Sequence, residues 1–201
     1  YLLVASDVVP GSVLQMARAA IAGGVDAIQL REKSGPDARI LALAAELREL
    51  TDETGKMLII NDRADIAAIV GADGVHVGQD DLPIAETRRL LRPGAIVGRS
   101  THSLAQAKTA VQEGADYIGV GPIFETDTKD AGPPPGTDLL KQIIPEVSIP
   151  VAAIGGINAD NAGGIAAAGC KCVAVCSALC AAADPKAAAA AIKAKLISDS
   201  R

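Results

Sequence analysis

Short apolar, β-branched runs punctuate the chain at YLLVAS (1–6), VDAIQL (25–30), MLII (57–60), GVHV (74–77), AIVG (95–98), YIGVG (117–121), PVAAIG (150–155) and CVAV (172–175). Each has the length of a strand, and their near-continuous apolarity marks strands covered on both faces. Between them lie Ala- and Leu-rich stretches with apolar residues at helical spacing, among them Val13 to Ala22, Ala38 to Glu53, Ile84 to Leu91, Leu104 to Gln112 and Ala159 to Ala168. The phrases Gly23 to Asp26, Gly71 to Asp73 and Gly114 to Asp116 end helices, glycine supplying a left-handed cap before the next strand. The segment from Ala181 to Ala194 reads as a further helix, with Asp184 as cap and Pro185 in its first turn, placed to close the barrel.

Eight strand–helix units within 201 residues predict an α/β fold, a (β/α)8 TIM barrel forming one domain over 1–201. The runner-up is a flavodoxin-like open sheet, which normally shows fewer strands. The prolines of DAGPPPG (130–136) exclude a helix there, so this stretch reads as a long loop after the sixth strand.

Composition narrows the partners. With Phe124, Tyr1 and Tyr117 the only aromatic residues, the interior is expected to be filled by Ala, Val, Ile and Leu. A net charge of −5 offers no general attraction to nucleic acid or anionic lipid, so an anionic ligand needs a local cluster of donors. No run reaches transmembrane length and no leader pattern opens the chain, which gives the expectation of a soluble, cytoplasmic protein with no membrane partner. Assembly as a homo-oligomer is left open. Cys170, Cys172, Cys176 and Cys180 crowd one window at a spacing that matches no familiar ligand pattern, so they are expected to fill tight interior positions.

In a barrel of this kind, polar residues at the carboxyl ends of the strands build the site. Strand alternation sends Gln29, Arg31 and Lys33 to one side after the second strand, a clamp suited to a polyanion. Asn61 and Asp62 follow the third strand and His76 to Asp81 the fourth, so two carboxylates sit on adjacent loops, a pair that suits Mg²⁺ with phosphate oxygens. Taken singly, Asp62 and Asp81 also read as helix N-caps, with Pro83 opening the fourth helix. His76, in an apolar strand, reads as a satisfied core histidine or, by its shared parity with Gln29, as a ring contact. Ser100, Thr101 and Ser103 offer hydroxyls after the fifth strand, and Thr126, Thr128 and Lys129 lie on the long loop, whose length suits a lid. Gly155, Gly156, Cys176 and Ser177 stand where the last two strands of such barrels hold phosphate.

In order and spacing, QLREK (29–33), ND (61–62), GVHVGQDD (74–81), GRSTHS (98–103), GPIFETDTK (121–129) and AIGGI (153–157) resemble the thiamine phosphate synthase family over nearly the whole chain. The resemblance implies a Mg²⁺-assisted transferase that joins a hydroxymethylpyrimidine diphosphate to a thiazole phosphate, through a pyrimidine cation, and releases diphosphate. It implies that Arg31, Lys33, Asn61 and Lys129 hold the diphosphate, with Ser100 assisting, and that Asp62 and Asp81 bind the metal. Gln29 and His76 would face the pyrimidine, Thr126 and Thr128 the thiazole phosphate, and Gly156, Cys176 and Ser177 would complete that phosphate's cradle. At Cys176 valine or isoleucine is more usual, and Ser6 stands where the family often has threonine. The rival readings are a thiazole tautomerase and a silent phosphate-binding barrel; both would be expected to lose the diphosphate and metal residues present here. A ribulose-phosphate epimerase would need a richer histidine set than His76 and His102.

Overall fold

The computed structural model describes residues 1–125 and 134–198. The strands β1 (Leu2–Val4), β2 (Ala27–Leu30), β3 (Met57–Asn61), β4 (Gly74–Val77), β5 (Ile96–Thr101), β6 (Tyr117–Val120), β7 (Val151–Ile154) and β8 (Cys172–Ala174) pair in parallel in sequence order. The sheet closes on itself: Leu2 bridges Val175, with Leu3 N–H donating to the Val175 carbonyl at 2.8 Å and Val175 N–H to that of Tyr1 at 2.9 Å. This closure decides for the barrel over the open sheet.

Helices α1 (Val13–Ala22), α2 (Asp37–Thr54), α3 (Ala64–Val70), α4 (Ile84–Leu90), α5 (Leu104–Gln112), α6 (Asp138–Ile143) and α7 (Ala162–Ala167) separate the strands; α8 (Ser177–Cys180) and α9 (Pro185–Ser198) follow the last. Strand alternation divides the core into two shells. Leu2, Ile28, Leu58, Ile60, Val75, Val97 and Ile118 point outward and are buried beneath the helices. The inward positions mix small and polar residues with the aliphatic Leu3, Ile59, Ile96 and Ile154, and two of the few aromatics, Tyr1 and Tyr117, stand in the interior expected to be filled by aliphatic residues, their rings 6.1 Å apart edge to face.

The repeated Gly-containing phrases work in two parts. Gly71 and Gly114 adopt positive φ (64° and 85°), as expected, whereas Gly23 stays right-handed at −86° and Gly24 takes the positive value of 105°. The aspartate that follows pins the sheet: Asp73 accepts from the Leu58 N–H at 2.8 Å, and Asp116 from that of Val97 at 2.7 Å. Arg48 and Arg88 neutralise those carboxylates from the surrounding helices. Helix α9 packs on α1 and α7, and its Lys193 donates to the Gly24 carbonyl at 2.8 Å and pairs with Asp26. No helix among the described residues is long and apolar enough to cross a membrane.

Candidate active site

At the carboxyl end of the barrel a cavity of about 200 Å³ is lined by the predicted residues Gln29, Arg31, Lys33, Asn61, Asp62, His76, Asp81, Ser100, Gly156, Cys176 and Ser177. Thr126, Thr128 and Lys129, and most of the expected lid, lie outside the described residues. A larger cavity of about 360 Å³ lies at the opposite end, between the strand starts and α9, and is lined chiefly by aliphatic residues. The convergence of ionisable groups assigns the chemistry to the smaller one.

The two carboxylates come together. Asp62 stands at the end of β3 with φ at 61°, the one non-glycine residue among those described with a left-handed backbone. Its N–H donates to the His76 carbonyl at 2.8 Å, which extends the β3–β4 ladder by one rung and fixes this conformation. Asn61 Nδ2 donates to Asp62 Oδ2 at 2.7 Å, and Lys33 Nζ lies 3.7 Å from the same oxygen. Asp81 is held by its own turn, where its Oδ2 accepts from the Gly78 N–H at 2.8 Å. Neither residue caps a helix, contrary to the reading of each alone: α3 is preceded by Arg63 and α4 by Pro83, and neither supplies a side-chain cap. Burial, then the facing Asp81, pushes the Asp62 carboxyl up to about 6, with Lys33 and Arg31 pulling the other way. Two carboxylates that compete for a proton at the mouth of a cavity have the donor chemistry to fit a divalent cation. Among the described residues no group of three or more His, Cys, Asp or Glu could hold a metal unaided.

Ser100 lies inside β5, which runs through Thr101, and not in the loop after it; inward parity carries its Oγ into the cavity. His76 Nε2 lies 2.9 Å from Ser100 Oγ and Nδ1 2.9 Å from the Tyr117 hydroxyl. Burial holds the imidazole down to about 4, so it is neutral at pH 7. His76 is therefore both a satisfied core residue and part of the cavity wall. Tyr117, Tyr1 and His102 line the cavity without having been singled out for it. The signal for Tyr117 was parity, since it shares the inward phase of Gly119 and Gly121.

Across the cavity, Gly155 and Gly156 follow β7 with φ at 101° and 63°. A Cβ on Gly156 would lie 2.2 Å from the Glu125 carbonyl oxygen, so the loops after β6 and β7 approach as only glycine permits. Asn161 Nδ2 donates to the Gly156 carbonyl at 2.8 Å and holds that loop. Ser6, on the loop after β1, donates through its hydroxyl to Glu32 at 2.9 Å and orders the loop that carries Arg31 and Lys33. The four cysteines are unpaired, and the Cys180 thiol donates to the Leu3 carbonyl at the barrel seam. Cys176 and Ser177 reach the cavity.

The sequence profile described as thiamine monophosphate synthase matches residues 1–179. The chain belongs to that family. A thiamine-phosphate synthase of Moorella thermoacetica is 50% identical over 177 residues, covering 88% of this chain and 84% of the relative. One from Shouchella clausii is 43% identical across 98% of this chain and 95% of the relative. The solved thiamine phosphate pyrophosphorylase of Pyrococcus furiosus superposes with a TM-score of 0.90 at 36% identity, covering 98% of this chain and 95% of that one. A 3-hexulose-6-phosphate synthase from Salmonella typhimurium, with a TM-score of 0.72 at 21% identity, shares the fold. The thiamine monophosphate synthase family is one of transferases acting on small molecules, and about 50% identity over most of the chain gives this member the same function.

Proposed function

We propose that the cavity joins a hydroxymethylpyrimidine diphosphate to a thiazole phosphate with loss of diphosphate, a reaction assisted by Mg²⁺. The observation that carries this reading is the meeting of Asp62 and Asp81 beside Arg31 and Lys33 at one end of the barrel. Carboxylates paired with cations at this density suit a metal-bound diphosphate and have no purpose in holding a monophosphate alone.

Arg31 and Lys33 bind the diphosphate, Arg31 through a planar fork and Lys33 as a point charge that swings from Asp62 to phosphate oxygen. Asn61 holds the Asp62 carboxylate in orientation. Bound between Asp62, Asp81 and the diphosphate, Mg²⁺ would neutralise charge that grows on the leaving group. As the C–O bond breaks, fixed cations and the Ser100 hydroxyl stabilise the departing diphosphate more than the bound substrate, which is how they raise the rate. Gln29 and His76 flank the space for the pyrimidine ring; Gly156, Cys176 and Ser177 face it from β7 and β8, where the thiazole phosphate would sit. No protein nucleophile takes part, because the thiazole nitrogen is itself the attacking group. Unpaired thiols support a reducing, cytoplasmic location.

The test is diphosphate release from the two substrates, with and without Mg²⁺, for the native chain and Asp62→Ala. Release that requires both substrates, the metal and Asp62 supports the coupling reaction. No release from folded protein overturns it and leaves a tautomerase or a silent binding barrel.

A further inference from the structure

A single file of hydrogen bonds crosses the barrel interior beneath the cavity. Gln29 Nε2 donates to the Tyr1 hydroxyl, which lies 2.9 Å from the Tyr117 hydroxyl. That hydroxyl lies 2.9 Å from His76 Nδ1, and His76 Nε2 lies 2.9 Å from Ser100 Oγ. The file links β2, β6, β4 and β5 through side chains that share the inward phase, with Tyr1 just ahead of β1. Small residues make room for it: a Cβ on Gly98 would lie 2.2 Å from the Tyr117 ring and 2.5 Å from His76 Nδ1. The coupling reaction uses Gln29, His76 and Ser100 at the cavity; it gives no role to the two tyrosines.

We propose that Tyr117, with Tyr1 and Gln29 behind it, is a positioning residue that fixes the tautomer of His76 and thereby leaves the Ser100 proton free to point into the cavity. The argument follows from counting protons. An amide nitrogen can only donate, so the Tyr1 oxygen accepts from Gln29 and sends its one proton to Tyr117. Tyr117 in turn donates to His76 Nδ1, which places the single imidazole N–H on Nε2, where it donates to Ser100 Oγ. The Ser100 proton then has no partner along the file and is available to an anion in the cavity.

The Gln29 amide sets the direction, and neutrality leaves one proton for each link: burial pushes the hydroxyls of Tyr1 and Tyr117 above the ordinary phenol range and holds His76 low. In the reverse sense, with the Gln29 carbonyl oxygen toward Tyr1, each proton would run the other way and Ser100 would spend its proton on His76. A leaving diphosphate gains negative charge and is stabilised by a donor, so only the first sense serves the reaction. This functional consequence rests on the proposed coupling reaction; the tautomer itself does not.

The first measurement is therefore independent of activity. The chain has two histidines, and nitrogen-15 chemical shifts of the histidine-labelled protein report which ring nitrogen carries the proton in each. His102 Nδ1 faces the Gly121 carbonyl, an obligate acceptor, so His102 is the Nδ1–H form and serves as an internal contrast. The expected result is Nε2–H at His76, assigned with His102→Asn. Tyr117→Phe removes the donor to Nδ1 and is expected to give a mixture of tautomers at His76, with kcat down about tenfold and both KM values within about twofold. Gln29→Met, which removes the donor that sets the direction, is expected to mix the tautomers as well.

A purely structural Tyr117 would lower the thermal midpoint of Tyr117→Phe and leave the His76 tautomer as it was. Nδ1–H in the native protein, or an unchanged Nε2–H signal in Tyr117→Phe, overturns the proposal. If the tautomer behaves as expected while the native chain releases no diphosphate, it is the coupling reaction that fails and the positioning role stands.

Discussion

Asn61 Nδ2 donates to Asp62 Oδ2 at 2.7 Å, so the last residue of β3 grips the carboxylate of the next, whose own backbone is left-handed. Asparagine tolerates that backbone at least as well as aspartate. Asp62→Asn is accordingly expected to keep its thermal midpoint and to lose about 10²–10³-fold in kcat. Differential scanning calorimetry and diphosphate release check the two halves; retained activity would remove Asp62 from the metal site.

Gly98→Ala places a methyl group 2.2 Å from the Tyr117 ring and 2.5 Å from His76 Nδ1, so both rings must shift and break the contacts that hold them. Overpacking of this kind costs about 1–3 kcal/mol. The expected outcome is a lower urea midpoint together with loss of activity, and an unshifted midpoint would mean the barrel interior yields more readily than its packing suggests.

His76 carries a pH signature. Burial holds it down to about 4, against 6.5 when free, so between those values the unfolded chain binds more protons than the folded one. Stability from this group is complete above pH 6.5 and is lost as pH falls toward 4, by on the order of 3 kcal/mol. Urea unfolding at pH 7.5 and pH 4.5 should show the native chain losing more stability than His76→Gln. Equal losses would show that the ring is already solvated.

Gly156→Ala strains a residue at φ 63° and drives a Cβ against the Glu125 carbonyl. Because that loop faces the proposed thiazole phosphate site, KM for the thiazole substrate is expected to rise at least about tenfold, from misplacement of the loop. KM for the pyrimidine diphosphate should move far less. Equal changes in both would relocate the phosphate site.

Much of the candidate site was legible because strand parity is a hard geometric rule: Gln29, Arg31, Lys33 and His76 had to share a side once their strands were placed, whereas Ser100 was expected in a loop and lies inside β5. What parity could not give was distance between loops. Asp62 and Asp81 were expected on adjacent loops, yet taken singly each also read as a helix cap, and only the fold shows that neither caps a helix and that the two carboxylates face each other. Helices α3 and α6 did not stand out although α4 and α7 are just as short: α3 (ADIAAIV) is nearly apolar throughout, and α6 follows closely on the proline-rich stretch. Tyr117 was read as one more apolar strand residue, since nothing local shows that small residues across the barrel leave room for its ring.

The seam between β8 and β1 has a consequence for synthesis. Tyr1 and Leu3 find their partner in Val175, and Asp26 its cation in Lys193. A chain emerging from the ribosome amino end first holds β1 as an edge strand until the segment around 172–198 is made. During that interval an apolar, unpaired edge is open to solvent and to other nascent copies. Overproduction at high temperature should therefore lose more chain to aggregation before completion than the stability of the finished barrel would suggest.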